Sequence, residues 1–358
     1  MATIMSDLSR AGRHFLIGLQ PSPDFTPHDA TLLARLKPAG VVLFKGNFDH
    51  DAPYERWVPR LAKLLADVRQ AIGRKDIVVS IDHEGGRVQR TPAPITRFAA
   101  ARHWSDAAGA VGAAHGRELA SLGFNLSFAP VCDIDSNPAN PVIGDRSFGR
   151  DPAEVAALAT AYWQGLEAAG VRGCAKHFPG HGDTSVDSHL SLPTLNLTLE
   201  ELEARELIPF RAMVKAGVPM VMTAHILFPR IQPGIPATLA PMILRGLLRQ
   251  GLGFKGLICT DDLGMKAISP WFGEPEGAVA ALSAGCDLLC LCAAQADTGT
   301  AIAQAEAILL AEGRGMIDLT ASQGRIASFI ETLKQPEPVC LSVDQLAANA
   351  TVAPIREI

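Results

Sequence analysis

Residues 77–90 read IVVSIDHEGGRVQR, so an apolar run, Ile77–Ile81, passes directly into a charged segment, Asp82–Arg90. A near-continuous apolar run is typical of a strand in a parallel sheet, because helices bury both faces of such a sheet. The charged segment would then lie at the carboxyl end of that strand. The same order of apolar run and polar segment recurs along the chain, and this repetition predicts the architecture.

Eight apolar runs can be counted, each bounded by Gly, Pro or polar residues and separated by segments with helical spacing. They are Phe15–Leu19, Gly40–Phe44, Ile77–Ile81, Asn125–Ala129, Gly173–Lys176, Val218–Thr223, Gly256–Thr260 and Cys286–Leu291. Strand and helix alternating eight times predict an α/β protein with a (β/α)8 barrel rather than an open sheet. We expect a single barrel domain over residues 1–335 and a tail over residues 336–358.

Two of the intervening segments carry recognisable helix boundaries. Asp151–Glu154, DPAE, offers an N-cap, a proline at the first helical position and an acid in the first turn. Thr198–Glu201, TLEE, has the pattern of a capping box and predicts one helix that continues past Val214 and ends at Gly217.

The composition excludes several classes of protein. The 358 residues include 32 Lys and Arg against 37 Asp and Glu, and the net charge of −5 disfavours a nucleic-acid partner. With 48% hydrophobic and 19% charged residues the chain can bury a large core. The apolar window Gly277–Ala296 approaches the length of a membrane span, but Gly285 interrupts it, and we interpret it as a helix end followed by a strand. We therefore expect no membrane partner.

The amino-terminal segment and the cysteines both favour the cytoplasm. Phe15–Leu19 is too short for the apolar core of a signal peptide. Seven cysteines cannot all pair within one chain, and no CxxC motif occurs. Most of them fall in apolar runs, which predicts free, buried thiols; those considered are Cys132, Cys174, Cys259, Cys286, Cys290 and Cys292.

Ionisable residues follow five of the predicted strands. The segments concerned are Asp82–Arg90, Asp133–Asn137 with Gly144–Gly149, Lys176–Thr184, Thr223–His225 and Thr260–Asp262. The carboxyl ends of barrel strands meet on one face of the molecule, where the active sites of such barrels lie. Burying these groups at five separate places would be costly, so we expect one shared pocket.

Two features of these segments point to specific chemistry. Asp187 and His189 are two residues apart, which places them on one face of an extended segment, where the carboxylate would tune the imidazole as an acid/base. Asp261 emerges directly from an apolar strand, and an ionised carboxylate held there can attack an electrophilic carbon. Its neighbour Asp262 is expected to cap the following helix.

Several motifs in the same order resemble those of glycoside hydrolase family 3, and more narrowly its single-domain bacterial β-N-acetylglucosaminidase branch. They are Asp82–Arg90, Lys176–Thr184, the Asp187-x-His189 pair and Gly256–Met265. The resemblance extends from about His14 to about Leu291. It implies a TIM barrel that acts as a retaining β-N-acetylhexosaminidase on GlcNAc-containing muropeptides in peptidoglycan recycling. It further implies a cytoplasmic monomer without cofactor or metal.

The resemblance also assigns roles to individual residues. Asp261 matches the nucleophile, His189 the acid/base and Asp187 its partner. The residues that match positions holding the sugar hydroxyls are Asp82, Arg90, Arg146, Lys176 and His177. His83 and Gly251 depart from the family pattern, His83 standing where Gln or Glu is usual and Gly251 where a polar residue is common.

Four other functions are compatible with parts of the same pattern. A metal-dependent barrel hydrolase could use His177, His181, Asp183, Asp187 and His189, although Lys176 and the arginines would repel a cation. A phosphorylase could use the same sugar site, since a histidine repels phosphate less than a carboxylate does. A sugar-binding barrel would not need Asp261 or the Asp187–His189 pair. A Schiff-base lyase could use Lys176 but leaves that pair unexplained.

Overall fold

Eight short parallel strands close into a barrel in the computed structural model, which describes residues 8–185, 192–265, 274–292 and 297–354. The strands are β1 Phe15–Gly18, β2 Gly40–Leu43, β3 Val78–Ile81, β4 Leu126–Ser127, β5 Arg172–Phe178, β6 Met220–Thr223, β7 Leu257–Asp262 and β8 Leu288–Leu291. Each pairs with its neighbour in sequence, and β8 pairs with β1 through Phe15 and Leu289. Every strand overlaps its predicted run, so the predicted (β/α)8 barrel is confirmed.

Helices surround this barrel and close one end of it. They are α1 Pro27–Leu36, α2 Tyr54–Ile72, α3 Ala108–Ser121, α4 Pro152–Ala168, α5 Leu199–Ala204, α6 Leu207–Ala216, α7 Met242–Gly251, α8 Glu274–Ala284, α9 Thr298–Gly313, α10 Thr320–Glu331 and α11 Val343–Ala350. Short 3₁₀ turns lie at Lys45–Asn47, Ala101–His103, Ser105–Ala107, Gly144–Arg146 and Ala237–Leu239. α7 is wound as a π-helix.

Local sequence signals act as expected at two helix starts. Asp151 accepts hydrogen bonds from the backbone N–H groups of Ala153 and Glu154 at 3.0 and 2.9 Å. Thr198 and Glu201 form the reciprocal capping box, with distances of 2.7 and 3.0 Å. The prediction of one helix after Thr198 is wrong, because α5 ends at Ala204 and α6 begins at Leu207.

Alternation along the strands creates two apolar layers. Side chains that point inward fill the barrel, among them Leu16, Val78 and Met220, and Phe329 of α10 packs against them. Side chains that point outward join the helices in a second cluster. Because β-strand side chains alternate with a period of two, both faces are buried and the strands read as continuous apolar runs.

The prediction of free, buried thiols is confirmed. The six named cysteines are buried, whereas Cys340 is exposed, and all seven are free. The window from Gly277 divides as expected into the end of α8, a turn at Gly285 and strand β8. Among the residues that the structure describes, no helix combines the length and apolarity needed to cross a bilayer.

Residues 336–354 pack against the barrel helices. The backbone N–H of Val339 donates to the carbonyl of Ser121 in α3 at 2.7 Å. The backbone N–H of Leu341 donates to the hydroxyl of Tyr54 in α2 at 3.0 Å. Leu346 of α11 is buried in the outer apolar cluster.

Candidate active site

A cavity of about 250 Å³ lies at the carboxyl ends of the strands. It is lined by residues that lie in or follow seven of the eight strands: Val42, Phe44, Asp82, Glu84, Val88, Arg90, Phe128, Val142, Arg146, Lys176, His177, His181, Met222, Asp261, Asp262, Met265, Cys290 and Cys292. Charged groups and apolar side chains therefore share one enclosed surface. Such a lining suits a sugar, which presents hydroxyls at its edge and C–H groups on its faces.

Lys176, at the centre of β5, joins two carboxylates of the β3 loop. Its Nζ lies 2.8 Å from Asp82 Oδ1 and 2.5 Å from Glu84 Oε1. Arg146 grips Glu84 from the other side with two parallel hydrogen bonds of 2.8 Å each. A bidentate pair of this kind fixes both side chains in direction, which makes this wall of the cavity rigid.

The electrostatics of this network keep its members charged. Burial disfavours the ammonium form of Lys176, but the carboxylates of Asp82 and Glu84 outweigh burial and raise its pKa. Burial likewise disfavours the Glu84 carboxylate, yet Arg146 and Lys176 hold its pKa well below the usual range. A lysine that forms a Schiff base needs a lowered pKa, so the raised value at Lys176 argues against the lyase interpretation.

Arg90 stands beside this network at the cavity wall. Its guanidinium lies 3.7 Å from Asp82 Oδ2 and 5.8 Å from the centre of the Phe44 ring. Because 3.7 Å is longer than a hydrogen bond, Asp82 Oδ2 stays accessible to a further donor. Asp82 can therefore accept a ligand hydroxyl while Arg90 and Lys176 donate to neighbouring oxygens.

His177 is held by Asp133, which follows β4. Asp133 Oδ2 lies 2.6 Å from His177 Nδ1, and Asp133 also accepts from the backbone N–H groups of His177 and His181. Burial disfavours ionised Asp133, but His177 and these donors lower its pKa. An aspartate on Nδ1 orients the imidazole and leaves Nε2 for the cavity side.

Asp261 lines the cavity as β7 ends. Burial disfavours its charge, but the imidazoles of His225 and His177, the backbone N–H of Asp262 and the ammonium of Lys176 together lower its pKa. That backbone N–H donates to Asp261 Oδ1 at 2.8 Å. The site therefore favours the carboxylate form that a nucleophile requires.

Asp262 has a different role from the one that the sequence suggested. Its Oδ1 accepts from the backbone N–H groups of Gly264 at 3.1 Å and Cys292 at 3.0 Å. A turn rather than a helix follows Asp262, so the prediction that it caps a helix is wrong. The side chain instead links the end of β7 to Cys292, the residue after β8. This contact fixes the backbone next to Asp261.

The cavity brings together six of the eight predicted site residues: Asp82, Arg90, Arg146, Lys176, His177 and Asp261. The other two, Asp187 and His189, lie outside the described residues. Sequence reasoning did not single out Glu84 and Asp133, although both fall within the polar segments that follow β3 and β4. Each carries the ion pairs that orient a cavity residue.

The metal-dependent interpretation rested on five residues, of which three are described. His177 Nδ1 is engaged by Asp133, and His181 Nδ1 lies 2.9 Å from the hydroxyl of Thr184. Asp183 accepts from Arg205 at 2.6 Å. Within residues 8–185, 192–265, 274–292 and 297–354, no three His, Cys, Asp or Glu side chains are grouped to hold a metal ion.

The two departures from the family pattern lie away from the cavity lining. His83 points outward from the barrel and packs edge-on against His115, with ring centres 4.7 Å apart. Burial lowers the pKa of His83 to about 4, so it is neutral near pH 7. Gly251 is the last residue of α7. Neither residue is among those that line the cavity.

The break between α5 and α6 places a carboxylate beneath the segment that leads toward Asp187. Glu206 is 1% exposed. The guanidinium of Arg205 donates to Glu206 Oε1 at 2.7 Å and to Asp183 Oδ2 at 2.6 Å, and so links the two carboxylates. A Cβ on Gly180 would lie 2.9 Å from the Glu206 side chain. Burial raises the pKa of Glu206 to about 7 despite Arg205, and Asp133 and Asp183 add to the rise. One continuous helix does not form because Pro209, in the first turn of α6, has no N–H to donate to the Arg205 carbonyl and its ring crowds that carbonyl.

Glu206→Gln should therefore change the pH dependence of stability. A raised folded-state pKa means that the wild-type protein loses stability as pH rises from about 4.5 through 7, by up to about 3 kcal/mol. Glutamine has no charge to bury, so the stability of the variant relative to wild type should rise over that interval. Urea unfolding from pH 4 to pH 8 measures the difference.

Glu201→Gln serves as the matched control, because Glu201 is exposed and its hydrogen bonds to Thr198 lower its pKa. The sign there is opposite: wild type gains relative stability as pH rises from the folded-state pKa to the ordinary value of 4.5, and the contribution is constant above it. Parallel pH curves for wild type and Glu206→Gln would contradict the assignment of a buried, protonated Glu206.

Comparison with known proteins agrees with this geometry. The family model described as "Glycosyl hydrolase family 3 N terminal domain" matches residues 19–329. A β-hexosaminidase of Neisseria meningitidis serogroup C (strain 053442) is 41% identical over 265 residues, which cover 71% of each chain.

Two solved structures are similar over nearly the whole chain. NagZ from Neisseria gonorrhoeae in complex with N-trifluoroacetyl-D-glucosamine has a TM-score of 0.75 and 32% identity, covering 94% of this chain and 96% of that one. A family 3 β-N-acetylglucosaminidase from Paenibacillus sp. str. FPU-7 has a TM-score of 0.86 and 34% identity, covering 96% of this chain and 67% of that one.

The barrel, the ion-paired cavity and these relatives define a glycoside hydrolase of the β-N-acetylhexosaminidase type. The chain belongs to glycosyl hydrolase family 3.

Proposed function

We propose that this enzyme releases terminal β-linked N-acetylglucosamine from peptidoglycan fragments such as GlcNAc-1,6-anhydroMurNAc peptides. The reaction would belong to cell-wall recycling in the cytoplasm, carried out by a monomer without cofactor or metal. The observation that carries the proposal is the carboxylate of Asp261, which lines the same cavity as Asp82 and Lys176 and whose pKa is lowered, despite burial, mainly by His225 and His177.

In the first step, Asp261 attacks the anomeric carbon of the bound sugar. The glycosidic C–O bond breaks as the C–O bond to Asp261 forms, and His189 in its imidazolium form gives its proton to the leaving oxygen. Asp187 stabilises that imidazolium. Inversion at the anomeric carbon yields a covalent α-glycosyl-aspartate.

In the second step, water enters on the side that the leaving group has vacated. Neutral His189 removes a proton from the water, whose oxygen attacks the anomeric carbon and releases Asp261. A second inversion restores the β configuration, so the enzyme retains stereochemistry. During both steps Asp82 accepts from the sugar hydroxyls, while Lys176 and Arg90 donate to them.

Chromophore release from an aryl β-N-acetylglucosaminide, beside the matching β-glucoside, tests the proposal. Wild-type enzyme should cleave the acetamido sugar, be indifferent to a chelator and need no phosphate. Turnover abolished by the chelator would favour the metal-dependent hydrolase, and turnover that requires phosphate would favour a phosphorylase. Muropeptide fragments tested alongside chitobiose would then decide the natural aglycone.

Asp187→Ala should lower kcat roughly 100-fold and leave the inhibition constant of free N-acetylglucosamine nearly unchanged, because the imidazolium of His189 loses its partner in both steps. Steady-state kinetics with aryl glycosides of differing leaving-group pKa measure this. The loss in kcat/KM, which reports the first step alone, should be smallest for the most acidic phenol, because that phenol departs without protonation.

Ser188→Ala is the matched control, because it changes the residue between Asp187 and His189 without removing an ionisable group. It should retain near wild-type kcat. Weakened sugar binding with unchanged turnover in Asp187→Ala would show that Asp187 belongs to the binding site and has no acid/base role.

A further inference from the structure

The loop between β3 and α3 carries part of the cavity wall and has few regular elements of its own. Glu84 and Arg90 lie near its start, and residues 91–99 follow them. Two hydrogen bonds join its two halves: Gly86 N–H donates to the Phe98 carbonyl at 2.9 Å, and Gln89 Nε2 donates to the Thr96 carbonyl at 2.8 Å. The position of residues 96–98 therefore sets the position of the wall.

Thr96 is in turn held by a buried carboxylate. Glu118 of α3 accepts from the Thr96 hydroxyl at 2.6 Å and from the Thr96 backbone N–H at 3.1 Å. Burial raises the pKa of Glu118, and the hydrogen bonds from Thr96 and Asn349 oppose that rise by stabilising the carboxylate. Its remaining donor comes from the far end of the chain.

That donor is Asn349 in α11. Its Nδ2 donates to Glu118 Oε1 at 3.1 Å, while its Oδ1 accepts from Arg117 Nε and Nη2 at 3.0 and 2.6 Å. Asn349 is 2% exposed. A second tie lies nearby, where the backbone N–H of Ala99 donates to the carbonyl of Pro354 at 2.9 Å.

Apolar packing covers only part of the interface between α11 and the loop. A cavity of about 770 Å³ lies between them, lined by Ile95 and Thr96 on one side and by Val343 and Leu346 on the other. The hydrogen bonds of Asn349 to Glu118 and of Ala99 to Pro354 therefore add directional contacts between the two segments.

We propose that the C-terminal segment, residues 336–354, is a positioning element of the sugar site: through Asn349, Glu118 and Thr96 it holds the loop that carries Glu84 and Arg90. This inference rests on the proposed function, because it takes that loop to bind the sugar. Asn349 touches no substrate and acts through Thr96. Loosening this connection should weaken sugar binding more than it slows bond cleavage.

The experiment compares Asn349→Ala, Thr96→Val and the double variant with p-nitrophenyl β-N-acetylglucosaminide. Each single variant should raise KM and the inhibition constant of N-acetylglucosamine roughly three- to tenfold, with kcat changed less than twofold. Both substitutions interrupt the same hydrogen-bond chain from Asn349 through Glu118 to Thr96. The KM of the double variant should therefore be close to that of the more strongly affected single variant. Thr96→Val keeps the side-chain shape, so it tests the path even where Asn349→Ala folds poorly.

Two controls on α11 separate positioning from general stability. Asp344→Ala changes an exposed side chain and should alter neither KM nor melting temperature. Ser342→Ala removes the cap of α11, which accepts from Gln345 N–H at 3.2 Å, and should lower the melting temperature with KM unchanged. Unchanged KM in both Asn349→Ala and Thr96→Val, or additive effects in the double variant, would overturn the inference. An inactive wild-type enzyme would instead count against the proposed function.

Discussion

Asp261→Ala is expected to lower kcat on an aryl β-N-acetylglucosaminide by roughly 10⁴-fold or more, because no covalent intermediate can form without the carboxylate. Binding should change little, since the sugar hydroxyls are held by other groups of the cavity. Steady-state kinetics give kcat, and the inhibition constant of N-acetylglucosamine gives binding. Added azide should partly restore turnover by attacking in place of the missing oxygen, and the product should then be the α-glycosyl azide.

Asp262→Asn is the matched control for this change. It removes the adjacent charge but keeps Oδ1, which accepts from Gly264 and Cys292. Its kcat should therefore remain within about tenfold of wild type, which is less than the loss of about 100-fold or more that removal of a catalytic group causes. Asp261→Ala retaining a few per cent of wild-type kcat, or an Asp262→Asn variant as inactive as Asp261→Ala, would assign the nucleophile elsewhere.

Glu84→Ala should destabilise the protein by about 3–5 kcal/mol, the cost of removing one partner from a buried ion pair. Arg146 would lose both of its 2.8 Å hydrogen bonds, and Lys176 would keep only Asp82. Urea unfolding at pH 7 measures the loss. KM should rise as well, because Lys176 and Arg146 no longer have fixed directions.

The contrast with an exposed pair makes this prediction specific. Asp67 accepts from Lys63 at 2.6 Å on the surface of α2, where solvent screens the interaction. Asp67→Ala should therefore cost less than about 1 kcal/mol. Equal losses in the two variants would show that the network around Glu84 contributes no more than a surface contact does.

The barrel could be predicted from the sequence because its signal is local and repeated. Each strand is buried on both faces, so runs such as Ile77–Ile81 stand out against the amphipathic segments around them. The capping residues Asp151 and Thr198 act through neighbours two or three positions away, which is why their helix starts were predicted correctly. The end of α5 was not predicted correctly, although Pro209 marks it, because a proline cannot donate to the carbonyl four residues earlier and so interrupts the helix at Arg205.

The candidate site was predictable to the extent that residues follow strand ends. Asp82, Lys176 and Asp261 meet because the barrel gathers those ends on one face. The family motifs then suggested roles for Asp187 and His189 that remain predictions. Glu84 and Asp133 were not chosen, because no local pattern distinguishes a carboxylate that orients another side chain from one that caps a turn.

Sequence alone was enough for the class of fold, the order of its strands, the buried thiols and the gathering of most cavity residues. These properties follow from short-range periodicity and from the geometry common to all such barrels. The pairing of Glu84 with Arg146 and Lys176, the inward turn of Glu206 and the attachment of Asn349 to Glu118 depend on the folded chain. Each joins segments far apart in sequence, and their directions are set by packing that no single segment encodes.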